Sequence, residues 1–306
     1  TLTITNMGAS QTTLDGTASN SAITLAAASR TDSAMTITGS LVNDSLAMEN
    51  VADVMDGSSG TGDTLVVAYT GIIGGIVIDL SADDQVTNMD GASNSAIQKN
   101  FENVNVNAYT NFGASVTGTS KANTITGTPL NDTITGGNGA DTIIGNGGDD
   151  IVRLAETVSA ADTVTLAVGS SDTATISGFT MNTDIIDGDG SAATGNGTPA
   201  NTIMQAATNA AGAVAADIGT NSLVVIATDD TSTAAVLTAL NAGTFDTTVM
   251  TRWFLYDTGS QLVLAKGASA DAIDNGNVTL TEFATFSDIT DITSTTLTTA
   301  STIDFI

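Results

Sequence analysis

The chain of 306 residues has no cysteine and no histidine. Without cysteine there are no disulfides, thiolate metal sites or cysteine nucleophiles. Without histidine, imidazole general-base chemistry and most zinc sites are excluded. A serine nucleophile lacks that base, and a Ser–Lys pair has only three lysines to draw on. Basic residues number six (Arg30, Lys99, Lys121, Arg153, Arg252 and Lys266) against 33 Asp and Glu, giving a net charge of −27. Such a surface repels nucleic acid and anionic lipid, because both need Lys and Arg to neutralise phosphate. Its natural counterions are cations. No apolar run approaches the roughly 18 residues of a membrane helix, so membrane insertion is not expected. The chain begins at Thr1 with no signal-peptide pattern, which reads as a fragment or a processed product.

What is present is Thr, Ala, Gly, Ser, Asn and Asp, with prolines only at Pro129 and Pro199 and 4% aromatics. From Thr1 to about Gly118 short β-like runs alternate with Gly/Asn/Asp/Ser turns. Met35-Thr36-Ile37-Thr38, Thr64-Leu65-Val66-Val67 and Ile76-Val77-Ile78-Asp79-Leu80 are examples. This predicts a mainly β fold. Ala18–Ile23 recurs as Ala92–Ile97, which is either a degenerate repeat or chance in so biased a composition.

From Gly118 to Arg153 the period is strict. Four nine-residue units follow without a gap: GTSKANTIT, GTPLNDTIT, GGNGADTII and GNGGDDIVR. Position one is always Gly. Position six is Asn123, Asp132, Asp141 and Asp150, and position eight is Ile125, Ile134, Ile143 and Val152. The pattern matches the nonapeptide GGxGxDxUx. Position eight points inward from a short strand, and the six residues before it turn the chain. A carboxylate every nine residues stacks as a like-charge column, and a hard cation with oxygen ligands cancels the repulsion. Two units make one coil, so Asp132 pairs with Asp150 and Asn123 with Asp141. Asp132/Asp150 is the expected best site. Asn123 offers only a neutral oxygen, and Lys121 and Leu130 replace Gly at position four, so the first unit is expected to bind poorly. Residues after Leu154 could complete a further site.

Units two to four resemble the RTX repeats of proteins exported by bacterial type I secretion. The resemblance implies a parallel β-roll or β-solenoid holding Ca2+ on repeat Asp side chains and backbone carbonyls. Carried onto this chain, those carbonyls belong to Thr128, Leu130, Gly145 and Gly147 around Asp132/Asp150, and to Gly136 and Asn138 beside Asp141. The expected organisation is a β-rich solenoid-like region over 1–117, the roll and its cap over 118–187, and an α+β carboxy-terminal domain over 200–306. In that last region Asn201–Asp217 and Ala234–Leu240 read as helices. Arg252–Tyr256 and Leu262–Ala265 read as a hairpin, and the tail Asp304-Phe305-Ile306 is similar to an uncleaved secretion signal.

No catalytic constellation emerges. Asp83-Asp84, Asp149-Asp150 and Asp229-Asp230 sit in turn-like text, where solvated or metal-bound acids are the norm, although abundant carboxylates leave a glycosidase dyad open. Trp253–Tyr256 reads as hairpin core or as a sugar-stacking patch. The resulting expectation is a non-enzymatic, extracellular, calcium-binding structural protein of a Gram-negative bacterium, self-associating into a surface layer or matrix and admitting a cell-surface polysaccharide as partner. The alternatives are an RTX adhesin, or the folding and export module of a hydrolase whose catalytic domain lies upstream.

Overall fold

The computed structural model describes residues 1–5, 12–26, 34–68, 74–89, 92–154, 156–167, 172–180, 183–187, 204–206, 223–226, 234, 251–258, 260–269, 278–289 and 303–304. The chain divides into two compact units, Thr1–Thr165 and Leu166–Ile306. Among the described residues no helix is long and apolar enough to cross a membrane.

The first unit is a parallel β-solenoid. One sheet stacks Leu2–Ile4, Ile23–Leu25, Ser45–Met48, Thr64–Val67, Asn103–Asn105, Thr124–Thr126 and Thr142–Asn146, each parallel to the next. The intervening strands form the other wall in two parts. Thr13–Asp15, Thr36–Thr38, Val54–Asp56 and Gln98–Lys99 make the first part. Ile76–Asp79, Ala114–Thr117, Thr133–Thr135 and Ile151–Arg153 make the second.

Each nonapeptide supplies one strand and two supply one coil, so Ile125 faces Ile143 and Ile134 faces Val152 across parallel registers. Thr-Ile-Thr suits this role. The β-branched residues favour extended backbone, and side chains alternate between core and solvent. Position eight is fully buried at Ile125, Ile134, Ile143 and Val152. The same inner column continues through Leu46, Leu65 and Val104, which are in register with Ile125. Burying each such side chain contributes roughly 1.5–3 kcal/mol.

The second wall is split by an insertion. After Ile76–Asp79 the chain reverses onto antiparallel Val86–Met89, which also pairs with Ala92–Ser93, before Gln98–Lys99 rejoins the solenoid. Two buried glutamines satisfy the backbone at the split. Gln85 Nε2 donates to the Leu80 and Phe101 carbonyls, both at 2.8 Å, while its Oε1 accepts from the Phe101 N–H at 3.0 Å. Gln98 Nε2 donates to the Asp53 carbonyl. An unsatisfied buried group would cost about 1–3 kcal/mol. The two copies of the Ala-Ser-Asn-Ser-Ala-Ile segment have unlike structures. The first is a turn leading into Ile23–Leu25, whereas the second ends the inserted hairpin. Their similarity therefore reflects composition.

In the second unit, Thr251–Asp257 and Leu262–Ser269 form an antiparallel hairpin, and Val278–Phe286 adds to it. Leu223–Ile226 and Met204–Ala206 extend that sheet in parallel. Leu255 and Tyr256 are buried, in keeping with a hairpin core. The helical reading of Asn201–Asp217 needs correction at its described residues. Met204–Ala206, within the Ala-rich stretch expected to be helical, is a strand paired to Leu223–Ile226. Helix propensity is a weak prior, and a neighbouring strand overrides it. Of Ala234–Leu240 only Ala234 lies among the described residues, and it is helical. Asp229-Asp230 lies outside them, and so do residues 305–306. Asp304 sits in a short strand parallel to Ile185–Asp187.

Candidate metal sites along the turns

The turns before the strands of the first sheet lie along one edge of the solenoid, and each ends in a side chain that reaches back one coil. Asp44 Oδ1 accepts from the Ile23 N–H at 2.6 Å, and Asp63 Oδ1 from the Asp44 N–H at 2.7 Å. Glu102 Oε2 accepts from the Asp63 N–H at 3.0 Å. Asp141 Oδ1 accepts from the Asn123 N–H and Asp162 Oδ1 from the Asp141 N–H, both at 2.8 Å. On the other edge Asp53 reaches the Met35 N–H at 2.9 Å, Asp132 the Ala114 N–H at 2.6 Å, and Asp150 the Asp132 N–H at 2.9 Å. The position-six residues and their equivalents therefore form two ladders, one side chain to a turn, acidic except at Asn123 and buried except at half-buried Glu102.

Two kinds of turn differ in how the position-six side chain is satisfied. In Gly127–Asp132 the Thr128 hydroxyl donates to Asp132 Oδ1 at 2.8 Å and the Thr128 N–H to Oδ2 at 2.7 Å. Gly39–Asp44 repeats this with Ser40, whose hydroxyl lies 2.8 Å from Asp44 Oδ1. In Gly118–Asn123, Thr119 serves Asn123 Oδ1, while Asn123 Nδ2 donates to the Glu102 carbonyl, a bond no carboxylate could make. These are hydroxyl turns.

Units three and four are glycine turns. Their second and fourth residues are left-handed: Gly137 at φ 107° and Gly139 at 100°, then Asn146 at 68° and Gly148 at 102°. Neither has a hydroxyl at position two. Asp141 is 1% exposed, and its Oδ2 has no hydrogen-bond partner. Burial pushes its carboxyl up to about 6, with the nearby negative charge of Glu156 acting in the same direction. Asp132 is also pushed up to about 6 by burial, against the pull of its three N–H and O–H donors.

The family model for the RTX calcium-binding nonapeptide repeat matches residues 117–152 in four copies. The chain carries RTX calcium-binding repeats. RTX nonapeptide repeats bind Ca2+, and proteins that carry them are typically secreted and extracellular. No curated protein matches the chain.

The residues of the RTX roll fit a calcium ion. A buried carboxylate oxygen without a partner, as at Asp141, is stabilised by a hard cation. A Cβ added to Gly136 would lie 2.5 Å from Asp141 Oδ2, and one at Gly145 would strike Asp150 Oδ2, so glycine at position one keeps the space beside the carboxylate clear. Beside Gly127, Asp132 Oδ2 and the Gly145 carbonyl converge on one such space. Among the described residues no three acidic side chains gather at one point. Acids arrive singly from each turn, so backbone carbonyls must complete any shell.

Of the residues singled out by sequence, Asn123, Asp132, Asp141 and Asp150 are buried and pair along the edges at the expected spacing. The Leu130 carbonyl lies 3.1 Å from the Thr128 hydroxyl oxygen, whose proton goes to the nearer Asp132. The Gly136 carbonyl packs against Gly118. Asn138 Oδ1 accepts from the Thr157 N–H at 2.8 Å and hydroxyl at 2.7 Å. Gly147 is half-buried in the fourth turn. The orphaned oxygen lies on the Asp141 edge rather than on the Asp132/Asp150 edge. Sequence reasoning missed Asp162 and Glu156. Asp162 follows Asp141 by 21 residues instead of 18, and Glu156 Oε1 accepts from the Gly139 N–H at 2.9 Å. It also missed Asp44 and Asp53. Gly39–Asp56, GSLVNDSLA-MENVADVMD, is a coil of two nine-residue units whose Gly39, Asp44 and Leu46 repeat the spacing of Gly127, Asp132 and Ile134.

Proposed function

We propose that this protein is a non-enzymatic extracellular structural subunit whose roll is set by Ca2+ and which assembles into a surface layer or similar matrix. The observation that carries the calcium reading is Asp141 Oδ2, buried and without a partner inside a glycine turn. In this reading Asp141 holds one ion together with Asp162 and the Gly136 and Asn138 carbonyls. Asp132 and Asp150 hold another with the Thr128, Leu130, Gly145 and Gly147 carbonyls. Bound calcium supplies neutralisation of the like-charge ladder. The chain's own residues orient the carboxylates through their N–H bonds and exclude side chains through position-one glycine.

The assembly reading rests on charge. At −27, like subunits repel until cations neutralise their contacts. The Debye length of about 8 Å at physiological ionic strength screens this only partly. The remaining readings are an adhesin, or an export module of a longer hydrolase. Analytical ultracentrifugation and electron microscopy across a calcium series test the proposal. A calcium-dependent lattice supports it. A monodisperse monomer at millimolar calcium and high protein concentration overturns the assembly reading and leaves calcium binding intact.

A further inference from the structure

The matched repeats end at Gly-rich turns whose signature recurs far upstream, in Gly57–Asp63. This turn has one residue more than a nonapeptide turn, GSSGTGD, so the motif does not register it. Its second residue, Ser58, is nevertheless left-handed at φ 74°, like Gly137 and Asn146. The Ser59 N–H donates to the Ser40 carbonyl one coil back, as the Asn138 N–H does to Thr119. Asp63 is 1% exposed, and its Oδ2 has no hydrogen-bond partner.

Three further features stand around that turn. A Cβ added to Gly60 would lie 2.5 Å from Asp63 Oδ2 and 2.9 Å from Oδ1, so glycine leaves the face of the carboxylate open. The next turn brings the Asn100 carbonyl against Gly57, where the RTX turns place the Gly136 or Gly145 carbonyl. It also brings Glu102, whose Oε2 accepts from the Asp63 N–H at 3.0 Å. Lys99 does not neutralise the group, because its ammonium pairs with Asp56 at 3.2 Å. Glu102 and Asn100, though not Asp63, line a cleft with Leu80, Ser81 and Gln85 whose wall also carries Lys99 and Lys121.

We propose that Asp63, Glu102 and the Asn100 carbonyl form a calcium site outside the matched repeats, where the inserted hairpin rejoins the solenoid. The site rests on the reading that turns with an orphaned aspartate oxygen take calcium. It ties the insertion to the coil below it, across the split in the second wall. In keeping with this geometry, burial raises the Asp63 carboxyl to about 7, with Glu102, Asp44 and Asp56 adding repulsion against one N–H donor.

The test is calorimetric titration of the whole chelator-treated chain with calcium alone, on the wild type and on D63N, E102Q, D141N and D63N/D141N. Asp63→Asn keeps an oxygen to accept from the Asp44 N–H. We expect it to remove one binding equivalent, Glu102→Gln to weaken that equivalent by about tenfold or more, and the double variant to lose two. D63N titrating like the wild type overturns the proposal. Should D63N fail to fold by circular dichroism, E102Q decides, since Glu102 is only half-buried; unchanged affinity there overturns it equally. D141N unchanged with D63N one equivalent short would instead sink the reading of the matched repeats and leave this site standing.

Discussion

Acidifying the calcium-free protein is expected to stabilise its solenoid. Asp132 and Asp141 have carboxyls raised by burial to about 6 from an ordinary value of 3.8. Between those values the folded state holds more protons than the unfolded one, so stability falls as pH rises through the window and levels off above it. Each raised carboxyl costs roughly 3 kcal/mol above pH 6. Lowering the pH from 7 to 5 recovers roughly 1.3 kcal/mol per group, or about 3 kcal/mol for the pair. Asp63, raised to about 7, acts in the same direction. For a unit of 165 residues this corresponds to a rise in Tm of roughly 5–10 °C. In saturating calcium the sign reverses, because protons then compete with a bound ion. The assay is thermal melting by circular dichroism from pH 4.5 to 7.5, in chelator and in millimolar calcium. A calcium-free Tm that is flat, or that climbs with pH, would refute the reasoning.

Asp150→Ala should cost more calcium affinity than Asn123→Ala, as measured by calorimetric titration, because Asn123 brings no charge and its amide is engaged with the Glu102 carbonyl. Thr128→Val should destabilise the protein by about 1–3 kcal/mol in denaturant melts, since it removes the hydroxyl that satisfies buried Asp132. Ile143→Ala should cost about 2–5 kcal/mol in the same melts by opening a cavity in the fully buried inner column. Gly137→Ala should weaken calcium binding at the third turn, because φ is 107° there and an added Cβ would strike the Thr119 backbone.

The four nonapeptides made the coil legible, because Gly at one, Asp or Asn at six and Ile or Val at eight each have a separate physical duty at a fixed spacing. The calcium chemistry was readable for the same reason. The distinction between hydroxyl and glycine turns was present in the letters, Thr128 against Gly137, but its consequence was not. Only the fold shows that a threonine at position two satisfies the acid at position six. Gly39–Asp56 was hidden because Met48 and Glu49 stand where glycine is expected, although Asp53 and Met55 keep their spacing. Asp63 and Asp162 were hidden by insertions that shift the period without moving the side chain from the edge. The Ala-rich carboxy-terminal stretch misled because alanine speaks for local propensity, while strand pairing at Met204–Ala206 is set by Leu223–Ile226.

The central claim is that calcium and the solenoid are one equilibrium. Ligand at about 100 times its dissociation constant, binding only the folded state, contributes roughly 2.7 kcal/mol per site, and extracellular sites bind at about 0.1–1 mM. Far-ultraviolet circular dichroism and melting of the same sample, in chelator and then in rising calcium to several times that range, test it most directly. The account predicts a weakened roll in chelator at neutral pH that gains β signal and Tm as calcium is added. Identical spectra and melting curves with and without calcium would contradict it.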